Sequence, residues 1–217
     1  MSSQAPAVGA AGADAAAVPQ PIAAAGTGGP APTAIVVAYG FWIFLLSDII
    51  MFSALFATYA VLNGRTAGGP SGRDLFELRN VGVETVCLLF SSYTCGLASL
   101  FMSRRRIAPF YLLLGLTFLL GATFLGLEID EFAAMLARGD GPSRSAFLSS
   151  FFALVGLHGA HVTVGLFWQL FTAAQVAAYG PRDFVLRRLN CFTLFWHALD
   201  IIWVAVMSLV YLMGVRL

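Results

Sequence analysis

The chain has 217 residues, 59% of them hydrophobic and 11% charged, with a mean hydropathy of +0.83. Soluble domains carry about 25% charged residues, so this composition excludes a chain able to cover itself with a water-facing surface. A formal net charge of +1 removes any electrostatic case for nucleic acid or for a strongly anionic partner.

Residues 1–34 are rich in Ala, Gly and Pro, with Asp14 as the one charge. Pro19, Pro21, Pro30 and Pro32 interrupt the Ala-rich run, and no basic residue precedes it, so it lacks the plan of a secretory signal. The composition predicts a retained, disordered tail.

Five apolar segments follow, at 35–62, 80–102, 107–136, 146–178 and 190–214. Each reaches the ~20 residues needed to cross a ~30 Å hydrocarbon core. Inside lipid such segments must be helices, because each backbone donor and acceptor needs an internal partner. The predicted fold is an all-α integral membrane protein, a single five-helix transmembrane domain over 35–217. The third and fourth segments are longer than one span requires and should tilt or project from the bilayer. No internal repeat suggests inverted transporter halves. All twelve basic residues are Arg, six on each side of the predicted topology. The Arg104–Arg106 turn favours an N-terminus inside the cell.

The three cysteines, Cys87, Cys95 and Cys191, lie within apolar segments. Cys87 and Cys95 are separated by about 12 Å of helix, too far to bridge. No Cys or His spacing marks a zinc site, and small buried side chains are the simplest reading.

Ionisable groups at membrane depth are expensive to place there and so are informative. Asp48 falls in the first segment and Glu84 in the second, with Glu128 and Glu131 late in the third. His158 and His161 share one face of the fourth, and His197 and Asp200 share one face of the fifth. Depth, at 1.5 Å per residue, sorts them into two layers. Asp48 is expected to pair with His197 or Asp200, and Glu128 with His158 or His161, Glu84 lying nearby. Three readings stand: polar glue between helices, a proton or ion path, and a metal or haem site. Three histidines are too few for the shells of membrane di-iron enzymes, whereas haem needs one or two.

Small residues support packing: Gly115, Gly121, Ala122 and Gly126 in the third segment, Gly156, Gly159, Ala160 and Gly165 in the fourth. The four-residue spacings Ala122/Gly126 and Gly156/Ala160 predict close helix approach. Trp42 suits an interfacial belt, while Trp196 and Trp203 are expected to pack against neighbouring helices. No phosphate loop, nucleophile elbow or triad is present.

Several stretches carry a family resemblance. GFWIFLLSDIIMFSALFATYAVL (40–62), TAGGPSGRDLFEL (66–78), ETVCLLFSSYTCG (84–96), GLEIDEF (126–132), SAFLSSFFALVGLHGAHVTVGLFW (145–168) and LFWHALDIIWVAVMSLVYLMG (194–214) occur in order. Together they resemble subunit III of haem-copper oxidases, HGAH and WHALDIIW being marks of the wider family. The five-helix length and the TAGGP loop are similar to the quinol-oxidising bo branch. The resemblance implies a bacterial inner-membrane subunit with a cytoplasmic N-terminus and a periplasmic C-terminus. It implies no catalytic, metal or cofactor residue on this chain; haem and copper would reside on partner subunit I, alongside subunits II and IV. Ubiquinol would be the substrate of the complex, and phospholipid would lie in a cleft of this subunit. Asp48, Glu84, Glu128, Glu131, His158, His161, His197 and Asp200 would form an interior polar network for helix packing or for that cleft. The alternatives are subunit III of a cytochrome c oxidase and an independent proton-coupled transporter. The chain departs from the family at FAAML after Glu131, where relatives frequently carry histidines, at Asp130, where an aromatic is expected, and in a tail without clustered His.

Overall fold

The computed structural model describes residues 33–70, 72 and 78–212. The tail at 1–32, much of the loop at 71–77 and the last five residues lie outside the described part, so the expectation for the tail falls there. Among the described residues five long helices are formed: α1 Thr33–Leu62, α2 Leu78–Ser103, α3 Ile107–Ala137, α4 Ala146–Tyr179 and α5 Asp183–Val206. A π-helical stretch, Met207–Leu212, continues α5. All five are long and apolar enough to cross a membrane, as the hydropathy predicts.

The fifth helix begins seven residues before the predicted segment at 190, at Asp183. Hydropathy reports where lipid contact begins, but helical hydrogen bonding continues through the polar turns beyond it. In those extra turns the guanidinium of Arg188 sits 5.8 Å from the Phe184 ring. The 31 residues of α3 and 34 of α4 give lengths of about 46 and 51 Å. Both exceed the ~30 Å hydrocarbon core, as expected of segments that tilt or project.

The helices close a ring in the order α2–α3–α4–α5, with α5 returning to α2, and α1 lies outside against α4 and α5. Burial follows this plan. The richest buried faces belong to α4 and α5, whereas among its described side chains α1 buries only Leu45, Phe52 and Tyr59. Phe41, Leu55 and Phe56 pack half-buried against the core, while other large side chains of α1, such as Ile43, Phe44 and Ile50, face outward. An outward apolar surface is the arrangement a lipid solvent requires.

The turns explain the helix ends. Arg105 takes a left-handed conformation (φ 55°), and Arg106 N–H donates to the Phe101 carbonyl at 3.0 Å, the Schellman closure of α2. Gly139 (φ 81°) plays the same part after α3, with Asp140 N–H bonded to the Met135 carbonyl at 3.0 Å. Arg144 then pairs with Asp140 at 3.1 Å. Ser145 caps α4 by accepting from Leu148 N–H at 3.1 Å, and Ser149 Oγ donates to the Pro142 carbonyl.

Candidate functional site

Neutral hydrogen bonds cross the ring at every level. Trp196 Nε1 donates to Ser91 Oγ and Trp203 Nε1 to Thr85 Oγ1, each at 3.0 Å, tying α5 to α2. Thr94 and Thr117 hydroxyls meet at 2.8 Å between α2 and α3. Gln169 Nε2 donates to the Leu114 carbonyl at 2.5 Å, and Tyr111 Oη to the Ala173 carbonyl at 3.1 Å, joining α3 to α4. Tyr59 Oη reaches the Val210 carbonyl at 3.4 Å, anchoring α1 to the π-helical turn.

Trp196 is the keystone of this packing. Its ring occupies a slot where α3 and α4 present no Cβ. A Cβ on Gly121 would lie 2.9 Å from two ring carbons, and one on Gly165 would lie 2.8 and 3.0 Å from two others. The close helix approach expected at Ala122/Gly126 and Gly156/Ala160 is not found at Gly126 or Gly156. Gly126 has open space around it, and Gly156 has only ordinary contact with Phe132 at 3.5 Å. The glycines admit one large ring rather than bringing two backbones together. Trp196 and Trp203 are both buried, as expected of packing residues, and Trp42 is exposed on α1, in keeping with an interfacial position.

The ionisable residues fall into three groups, differently matched from the expectation. On α2 and α5, Ser92 Oγ lies 2.6 Å from His197 Nδ1, and Asp200 stands within electrostatic reach of His197. The histidine of the i, i+3 pair on α5 is thus met by a serine of α2, not by Asp48 of α1.

Asp48 lies instead within electrostatic reach of His161. The His161 ring is fixed by a contact of 2.9 Å from Nδ1 to the Leu157 carbonyl of its own helix and by the Phe52 ring at 5.4 Å. The expected partners of Asp48 face α2 because α1 packs outside the ring.

The third group joins Glu84 of α2 to Glu128 and Glu131 of α3, with Tyr211 also in electrostatic contact with all three. The expectation that Glu84 lies near Glu128 holds. Neither histidine expected there joins: His161 lies near Asp48, and the rings around His158 are Phe52, Phe124 and Trp203, at centroid distances of 6.4, 5.8 and 5.2 Å. His158 is fully buried, and neither ring nitrogen has a hydrogen-bond partner among the described residues. Phe124, one turn before Glu128, is the ring that α3 presents to His158.

Sequence reasoning passed over Ser91, Ser92, Thr85 and Tyr211. The Ser-Ser pair inside an apolar segment was the available signal, since two hydroxyls on adjacent faces can serve two different partners.

Ring topology, outward apolar surface and inward polar groups define a multi-pass helical membrane protein. The family profile described as cytochrome c oxidase subunit III matches residues 26–215, and the chain belongs to that family. It is 54% identical over 176 residues to cytochrome bo(3) ubiquinol oxidase subunit 3 of Pseudomonas aeruginosa, covering 81% of this chain and 84% of that one. The protein of the same name from Pseudomonas putida is 51% identical over 81% of this chain and 85% of its own. Quinol oxidase subunit 3 of Bacillus subtilis is 44% identical over 81% and 86%.

Proposed function

We propose that the chain is the third, non-redox subunit of a bo-type ubiquinol oxidase in a bacterial cytoplasmic membrane. Its likeness to curated ubiquinol oxidase subunit 3 chains, at 54% and 51% identity over 81% of its length, carries this reading. In it the chain braces subunit I, which bears the haems and copper and pumps protons, alongside subunits II and IV. It also holds lipid at its flank. Its N-terminus is cytoplasmic and its C-terminus periplasmic.

The interior geometry supports a bracing part. Tryptophans locked by hydroxyls and glycine slots make a rigid body, and the polar groups bond across helices. Rigidity suits a subunit whose work is to hold a neighbour's shape.

The test is affinity purification of the tagged chain from detergent-solubilised membranes. Recovery of a haem-bearing complex that oxidises ubiquinol is expected. Recovery without haem overturns the reading, and oxidation of cytochrome c in place of quinol assigns the other branch of the family.

A further inference from the structure

We propose that the outer groove between α2 and α5 seats a transmembrane helix of another chain, whose facing side chain at the bilayer midplane carries a hydroxyl or a carboxamide. The proposal deepens the bracing part of the proposed function. It rests on the chain being one subunit of a larger membrane complex, and not on which oxidase that complex is.

The groove measures about 380 Å³ and is lined by Ser92, Gly96, His197 and Asp200, with Leu89, Tyr93 and Leu97 beside them. His197 and Asp200 are half-buried, so this chain covers only part of each. Asp200 Oδ1 has no hydrogen-bond partner among the described residues. His197 is met at Nδ1 by Ser92 Oγ, at 2.6 Å. Its Nε2 edge turns towards Gly96, where a Cβ would stand 3.7 Å away.

Depth makes this exposure costly. The last span runs from Asp183 to Leu212, 30 residues or about 45 Å. His197 and Asp200 lie about 21 and 26 Å from its start, on either side of the middle. An imidazole and a carboxyl facing lipid at the midplane have neither water nor a donor. Something polar has to cover them.

Shape and chemistry identify the cover as a helix. An acyl chain offers no hydrogen bond, and among the described residues no three His, Cys, Asp or Glu side chains converge on a metal ion. Val86, Leu89, Tyr93 and Leu100 of α2 are all exposed and follow one another at three, four and seven residues. His197, Asp200 and exposed Val204 repeat the three-and-four step on α5. Rows with a 3.5-residue period are the seams into which a further helix packs. The α2 row is about 21 Å long, and Gly96 gives it a smooth centre for close approach. Asp200 calls for a donor, while Nε2 of His197 donates or accepts according to its tautomer. Hydroxyls and carboxamides do both. A Lys or Arg only donates and brings a further charge to the midplane. A second copy docking through the same face by a two-fold axis would set carboxyl against carboxyl.

The test uses the complex purified in mild detergent from native membranes through a tag on this chain. A photoreactive benzophenone amino acid takes the place of Tyr93, and its cross-links are mapped by mass spectrometry. A link to a membrane-spanning segment of another chain is expected, with Ser, Thr, Tyr, Asn or Gln within one helical turn of the linked residue. Gly96→Leu fills the groove and should lower recovery of that chain at least tenfold, while the circular dichroism of the subunit stays that of the wild type. Asp200→Leu should also lower recovery, and Asp200→Asn, which keeps an acceptor, should restore most of it. Links from position 93 to lipid alone, or to a second copy of this chain, overturn the proposal. So does a linked segment without a hydrogen-bonding side chain at that level, or full recovery with a folded Gly96→Leu subunit. A linked partner in a preparation without haem keeps the docking surface and overturns the oxidase assignment. A haem-bearing complex with no link at position 93 does the reverse.

Discussion

The slot around Trp196 gives the sharpest mechanical prediction. In Gly165→Ala the new methyl would stand 2.8 and 3.0 Å from Trp196 ring carbons and 3.3 Å from Phe195 Cε1. Carbon contacts are optimal at about 3.5–4.0 Å, so something must move by more than half an ångström. The indole cannot yield easily. Its Nε1 is held by Ser91 at 3.0 Å, and Gly121 on the far helix leaves no more than 2.9 Å to an added Cβ. Overpacking a rigid core typically costs about 1–3 kcal/mol, and the upper half of that range is expected here, although alanine gains up to about 1 kcal/mol of helix propensity. Gly126→Ala is the control, since its Cβ meets nothing within 4 Å, and it should be neutral or stabilising. The assay is denaturation of the purified protein in mild detergent, followed by tryptophan fluorescence. The double variant Gly165→Ala with Trp196→Phe should recover part of the loss, because the smaller ring vacates the contact. Gly165→Ala indistinguishable from Gly126→Ala, or a double variant with strictly additive losses, would refute the slot.

Other expectations follow from the same geometry. Ser91→Ala leaves the buried Trp196 N–H unpaired and should cost about 1–3 kcal/mol, read in the same denaturation assay against Ser99→Ala on a half-buried face of α2. His158→Met removes two buried nitrogens without partners from an aromatic cage, so stability should hold or rise; a loss above about 2 kcal/mol would mean that the imidazole has a bonding role. Ser92→Ala removes the hydroxyl 2.6 Å from His197 Nδ1 and should shift the His197 ring resonances in a ¹⁵N-histidine NMR spectrum while leaving those of His158 in place. Gly139→Ala forces a Cβ into the left-handed region and should cost about 1–2 kcal/mol, whereas Gly139→Asn should recover part of it, both measured as midpoint shifts.

How far the sequence could be read differs between levels. Five spans, their approximate limits and the inward turn of the ionisable residues follow from hydropathy and from the need to pair backbone groups in lipid. These are properties of one segment at a time. Partner choice is not. Depth alone put Asp48 with His197 or Asp200 and Glu128 with His158 or His161, but depth fixes position along a helix axis and says nothing of the angle around it. The ring of α2, α3, α4 and α5, with α1 outside, sets those angles. It hands His197 to Ser92, Asp48 to His161, and leaves His158 among rings. The same limit applies to the glycines. Four-residue spacing marks a smooth helix face, but whether that face receives a backbone or an indole depends on what the third helix brings. Composition and periodicity thus determined that this is a membrane bundle with a polar interior. Tertiary packing alone decided which groups meet, because rotation about each helix axis is settled jointly by all the helices that touch it.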